Sequence, residues 1–365
     1  MRIELVVGKD AKNLFDKVSS AVYAGNKYFR GTEKSVEKLV LGESKAFSLH
    51  AKVKKFIVQD GNDTVARFAL IQDTKLRDYV QVAYFEAFEG LGDIYPLIEI
   101  EIKKYFGQCK KVVVGLNGHL NYGAGILLNH FDEAPVFGLP YQPDYYADYF
   151  KNLHCRKMAT FRFTMANYTA WAQSYSTHRE LRGLTVRFMD KRNIKAESAI
   201  YTKLNNEAFP NHPYWANRDI EEDLELFYPF RHLLDNENLV FAEIDGRPVG
   251  FFLWYPDFNQ LVSSQRDLNV FDVLKFRLGK TPDTFRFTEI GIIPEYQGSI
   301  VAMAMLNKAL PTIIKKGFKY CEGGFIFEEN KASMAFVKRI LKRSFGVEPE
   351  IFRQYGVFET PITAP

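Results

Sequence analysis

Cysteine is scarce in this chain: Cys109, Cys155 and Cys321 are the only three in 365 residues, an odd number with no CxxC spacing. A disulfide framework and a thiolate metal site both need more, so reduced thiols in a cytoplasmic protein are the simplest expectation. Long apolar runs are missing too. Nothing approaches the roughly 18 residues of a membrane span, and Met1 to Phe15 lacks the charged-then-apolar order of a signal peptide, so no membrane association is expected. Nor is there an excess of one charge. With 48 basic and 44 acidic residues the net charge is +4, too mild to hold a polyanion at physiological salt, which argues against a nucleic-acid partner. HExxH, GxSxG and Walker signatures are all absent, so zincin, serine-hydrolase and P-loop chemistry are not indicated and no metal is expected.

What the chain does have is length and apolar content. At 365 residues and 47% hydrophobic, with 32 Phe and 20 Tyr, it exceeds one ordinary core and is expected to form two domains. The order of elements repeats. Ile3 to Val7 reads as a strand, followed by a helix with Leu14, Val18 and Val22 on one face; Leu184 to Phe188 and a helix through Ile200, Leu204 and Ala208 echo them. Hairpins with Asp-Gly punctuation follow at Asp60-Gly61 and at Asp245-Gly246. A third strand comes next in each half, Tyr79 to Ala87 and Phe285 to Ile293, and each leads into a helix and then a buried strand. The spacing predicts an internal duplication: a first domain over residues 1–166, a linker over 167–183 and a second domain over 184–365.

The segment Thr288-Glu289-Ile290-Gly291-Ile292-Ile293-Pro294-Glu295-Tyr296-Gln297-Gly298-Ser299-Ile300-Val301-Ala302 runs from an apolar strand through a proline turn into a helix. A helix start leaves about four N–H donors without intrahelical partners and carries roughly half a positive charge, which suits a pyrophosphate. The segment resembles motif A of the GNAT acyltransferases, where the turn reads Gln or Arg, two residues, Gly, one residue, then Gly or Ala. Gln297 and Ala302 fit, and Ile300 stands where the middle Gly belongs. Gly115-Leu116-Asn117-Gly118-His119, Asn205-Asn206-Glu207-Ala208-Phe209 and Pro256-Asp257-Phe258-Asn259-Gln260 add to the likeness, which is to bacterial tandem-GNAT proteins. The resemblance implies an α/β (α+β) fold: two GNAT domains in tandem, each with a mixed, mainly antiparallel sheet flanked by helices. It also implies acetyl-CoA, or another acyl-CoA, as co-substrate and a small-molecule or peptide amine as acceptor.

On that resemblance Ile290, Gly291, Ile292 and Ile293 would offer backbone donors near the thioester. Gln297, Gly298, Ser299, Ile300, Val301 and Ala302 would hold the pyrophosphate, and Asn330 the pantetheine arm, although Asn330 also reads as a helix N-cap. Glu289 is the candidate base, alternation with Phe287 and Gly291 leaving either face open to it. The Tyr that the family places seven residues after the Asn is Val337 here, so Tyr296 and Tyr355 are the substitutes considered for a general acid. His212, Tyr214 and Trp215, with Asp257, Asn259 and, from the first half, Asn117, are the acceptor-side candidates; for His212 a packed loop position is the favoured alternative. The first half shows no motif A and is expected to lack a CoA site. Three functions remain in play: an acyl-CoA-dependent N-acyltransferase, a non-catalytic tandem protein that binds a ligand or partner, and a Fem-type aminoacyl-tRNA-dependent peptidyl transferase.

Overall fold

The computed structural model describes residues 1–167, 181–210, 212–263, 265–346 and 348–362. They divide into two compact units. The first comprises Met1–Met158, Val262–Leu268 and Arg353–Pro365, the second Ala159–Leu261 and Asn269–Phe352. Most of the expected linker, 168–180, lies outside the described residues. The division also differs from a simple split at that linker, because two segments of the later half pack with the first unit.

In the first unit β1 (Arg2–Leu5), β2 (Ala51–Asp60), β3 (Asp63–Asp73) and β4 (Tyr79–Ala87) are antiparallel neighbours, and β5 (Lys111–Val114) runs parallel to β4. The helices α1 (Gly8–Val22), α2 (Lys34–Lys38), α3 (Lys45–Ser48) and α4 (Tyr95–Phe106) and the short strand β6 (Ile126–Leu127) complete its own run of chain. The strand β7 (His154–Thr164) divides between the units at Met158. The free side of β5 is taken by a strand from the far end of the sequence, β13 (Gln354–Pro361), with Phe358 opposite Val114 and Pro361 opposite Lys111. The physical reason is plain: Val112, Val113 and Val114 are fully buried, and an interior strand needs a partner on both edges.

A charged cluster sits inside this unit. Arg67 on β3 is 2% exposed and faces Glu86 across the β3–β4 pair. Its guanidinium pairs with Glu37 at 2.8 Å and lies 3.9 Å from Glu86. The Tyr146 hydroxyl donates to Glu86 at 2.7 Å. Burial outweighs Arg67 and raises the Glu86 pKa to about 7.

The second unit contains β8 (Leu184–Phe188), α5 (Ile194–Ala208), α6 (Ile220–Phe227), β9 (Leu239–Ile244), β10 (Arg247–Pro256), α7 (Val270–Arg277), β11 (Thr284–Ile292), α8 (Val301–Lys315), β12 (Tyr320–Phe327) and α9 (Lys331–Phe345). Strands β8 to β11 are antiparallel neighbours and β12 is parallel to β11. The β9–β10 turn carries positive φ at Asp245 and Gly246, as a type I′ hairpin requires. Phe241, Phe252, Trp254, Phe285, Met305 and Leu306 form the core between sheet and α8. That helix continues through Pro311, where a kink or an end near Leu310 is expected from sequence. Burial of Ala309 and Ile313 on either side offsets the lost backbone bond. No described helix is long and apolar enough to cross a membrane.

Candidate active site

Strands β11 and β12 pair only from Thr284 opposite Tyr320 to Phe287 opposite Gly323, yet β11 continues to Ile292 and β12 to Phe327. The two strands therefore part at Thr288. A bulge falls at the same place, since Leu253 of β10 faces Glu289 while Trp254 faces Phe287. The Ile293 N–H donates to the Val249 carbonyl at 3.0 Å. Alternation along an antiparallel pair then turns the N–H groups of Ile290 and Ile292 away from β10, toward the side that β12 has left. The Ile292 carbonyl on that side accepts from Gln297 Nε2 at 3.0 Å.

The turn after β11 exposes Gln297, Gly298 and Ser299. Gly298 has φ +76°, and no atom lies within 4 Å of where a Cβ would stand, so the chain is left-handed here and open to an approaching group. Ser299 Oγ donates to the Tyr296 carbonyl at 2.6 Å and accepts from the Val301 N–H at 3.3 Å. Ile300 has φ −73° and ψ −10°, ordinary right-handed backbone, and its side chain packs half-buried on the core. The conformational need for glycine thus falls on Gly298, and Ile300 imposes no backbone strain. Behind it Val301 and Ala302 begin α8, whose first-turn N–H groups have no intrahelical acceptor.

Glu289 points toward α5. Its Oε2 accepts from the Tyr201 hydroxyl at 2.7 Å and its Oε1 from Asn205 Nδ2 at 3.0 Å. Next to these lies a buried ion pair, Arg218 to Asp223 at 2.5 Å, with Thr202 Oγ1 donating to Asp223 at 2.6 Å. Burial raises the Glu289 pKa, opposed by the Arg218 charge and by the two hydrogen bonds. A carboxylate raised in this way is a better proton acceptor than an exposed one, and it sits one residue past the point where β11 and β12 diverge.

The other candidates fall in several places. Gly291 lies against Phe251, where a Cβ would collide with the ring at 2.3 Å. His212, Tyr214 and Trp215 gather with Phe209 over Phe327 at the end of β12: the His212 ring is 5.5 Å and the Tyr214 ring 5.9 Å from Phe327, and Trp215 is 5.1 Å from Phe209. His212 Nδ1 is 3.0 Å from the Pro213 carbonyl, the packed loop position expected as its alternative. Asn330 caps α9, its side chain accepting from the Ser333 N–H at 3.1 Å. Asp257 and Asn259 are buried beyond the far end of β10, where the Asp257 carboxylate accepts from the Asn259 N–H at 3.1 Å and the Asp257 N–H donates to Thr284. Tyr296 is half-buried beside Glu295 and the Asp245–Arg247 turn. Tyr355 belongs to the first unit, fully buried opposite Leu127 and against Gly125. Val337 packs with Phe161 and Leu341.

Asn117 also belongs to the first unit, and its placement is informative. Strand β4 has its own bulge opposite Phe68, with Tyr84 at φ 49°. The Tyr84 N–H donates to Asn117 Oδ1 at 3.0 Å, so the donor that the bulge turns outward is satisfied within the unit. The residues that sequence reasoning missed are Tyr201, Asn205 and Arg218. The signal was the i, i+4 spacing of Tyr201 and Asn205 on a helix face otherwise read through Ile200, Leu204 and Ala208.

No described protein family's profile matches the chain. Among curated proteins, Protein YghO of Escherichia coli K12 is 21% identical over 259 residues, which cover 67% of this chain and 64% of YghO, less than two thirds of that protein's length. Among solved structures, a tandem GNAT protein from the clavulanic acid biosynthesis pathway superposes with a TM-score of 0.55 at 9% identity, covering 100% of this chain and 99% of that one. A GCN5-related N-acetyltransferase from Sphaerobacter thermophilus gives 0.50 at 13% identity over 100% and 96%, and one from Anabaena variabilis 0.52 at 7% over 99% and 73%. At such identities the likeness speaks for architecture, and it agrees with two units each built on a mixed, mostly antiparallel sheet: the chain has the tandem GNAT fold.

Proposed function

We propose that the second unit is an acyl-CoA-dependent N-acyltransferase that transfers an acetyl group to the amine of a small molecule or peptide in a cytoplasmic setting. The observation that carries the proposal is the parting of β11 and β12 at a bulge, with Glu289 beside the gap and the open Gly298 turn leading into α8. The solved structures that share the fold include proteins described as N-acetyltransferases, which supports the same reading. In this scheme the first-turn N–H groups of α8 take the pyrophosphate, and the outward N–H groups of Ile290 and Ile292 lie along the arm and thioester. The acceptor ammonium gives one proton to Glu289, which passes it to solvent. The neutral amine attacks the thioester carbonyl, a C–N bond forms, the C–S bond breaks, and the thiolate leaves with the electron pair. The second amine proton goes to that thiolate. Positioning supplies most of the rate. The first unit is left without a donor site, in keeping with the Asn117 side chain on the Tyr84 N–H.

Isothermal titration with acetyl-CoA, CoA and longer acyl-CoAs tests the donor site; binding is expected in the micromolar range, and no heat at millimolar ligand refutes it. A second reading, a tandem GNAT-fold protein that binds without catalysis, is favoured by Val337, an apolar side chain where a hydroxyl would protonate the thiolate. Turnover of acetyl-CoA against an amine library decides against that reading.

A further inference from the structure

Helix α5 carries Tyr201 and Asn205 one turn apart on the face that meets β11. Each oxygen of Glu289 has its own donor from this pair, the tyrosine hydroxyl at 2.7 Å and the asparagine amide at 3.0 Å. The tyrosine is itself held. Its ring meets Phe251 at 4.9 Å and Phe227 at 5.1 Å, both edge-on, and the Arg218 guanidinium lies 5.8 Å from its centre. A carboxylate oxygen has two lone pairs, so one on each oxygen stays available after both bonds are made.

We infer that Tyr201 and Asn205 are positioning residues for Glu289, fixing the plane of its carboxylate so that a remaining lone pair can take a proton from an acceptor ammonium. The inference rests on the transferase reading for the identity of the proton donor and on geometry alone for the clamp. A glutamate on a half-buried strand could otherwise rotate among several conformers, and proton abstraction is sensitive to distances near 3 Å. Donors to the ionised form also favour it against the burial that opposes it. The charged and titratable groups that face Glu289 are Tyr201 from α5, Arg218 from the segment before α6, which favours ionisation, and Asp223 from α6, which opposes it.

The test uses the full chain labelled with carboxyl-13C glutamate, the Glu289 signal being assigned by its loss in E289Q. In Y201F, which keeps the ring and its packing, and in N205A, the midpoint of the Glu289 titration is expected to rise by about one pH unit. The acid limb of kcat/KM for acetyl transfer should rise with it, while KM for acetyl-CoA stays unchanged. A merely structural tie would lower stability in both variants and leave kcat/KM on the plateau above the acid limb unchanged, and that result overturns the inference. If the wild-type protein transfers no acetyl group to any amine while the titration still moves, the clamp stands and the transferase reading falls. If transfer occurs and neither variant moves the titration or the acid limb, the clamp falls and the transferase reading stands.

Discussion

Glu86→Gln isolates the energetics of the first unit's charged cluster. In the folded protein Glu86 titrates at about 7, against an ordinary value of 4.5 for a glutamate. The folded state therefore holds this proton more tightly than the unfolded chain does. Stability from this group is full below about pH 4.5 and is lost as pH rises through about 7, the opposite of a carboxylate stabilised by its partners. Between about pH 5 and about pH 8 that shift corresponds to a loss of about 2 to 3 kcal/mol. The glutamine cannot ionise, and Arg67 keeps its 2.8 Å contact with Glu37. Urea unfolding followed by circular dichroism at several pH values in that range measures the quantity, because every other carboxylate cancels in the difference between the two proteins. Wild type should lose about 2 to 3 kcal/mol relative to E86Q on going from the acid to the alkaline end. A difference that stays constant with pH refutes the reasoning, since Glu86 would then be ionised throughout and held by Arg67.

Arg218→Ala leaves Asp223 buried without its cation, and the second unit should lose about 3 to 5 kcal/mol in urea unfolding; a loss below about 1 kcal/mol contradicts the buried pair. Gly298→Ala forces a Cβ into left-handed backbone at about 1 to 2 kcal/mol and should weaken acetyl-CoA binding by about tenfold or more in titration calorimetry, whereas unchanged affinity removes this turn from the donor site. Ile300→Gly removes a half-buried side chain from a residue already in right-handed backbone. It should lower stability by about 1 kcal/mol and leave acetyl-CoA affinity within about threefold; a large gain in affinity shows that the isoleucine obstructs the phosphate turn.

The parts of the fold legible in the sequence are those set by local chemistry. The Asp245-Gly246 turn is visible because only a few residue types accept its two positive φ angles, and Asn330 is visible as a cap because the side chain and the N–H it binds are three residues apart. The strand-turn-helix from Glu289 to Ala302 is legible for the same reason. Strand β13 is different. Its Tyr, Val, Phe and Thr residues suit a strand, and nothing within them says with which edge it pairs, so its place beside β5 rather than in the second unit could not be read. The orientation of Glu289 was open because a bulge shifts the alternation at Thr288, and bulges leave little trace in composition. Once the face is known, the polar i, i+4 pair on α5 explains itself.

The placement of β13 bears on how the protein is made. The first unit cannot satisfy the outer edge of Val112 to Val114 until Gln354 to Pro361 have been synthesised. At about 5 to 20 residues per second the delay is on the order of ten seconds or more, during which a buried strand stands open to mispairing. The order of synthesis therefore favours the second unit's strands forming while the first waits. A gene cut between the two repeats would leave the first sheet without β13, so the duplication visible in the sequence is no longer a pair of interchangeable parts.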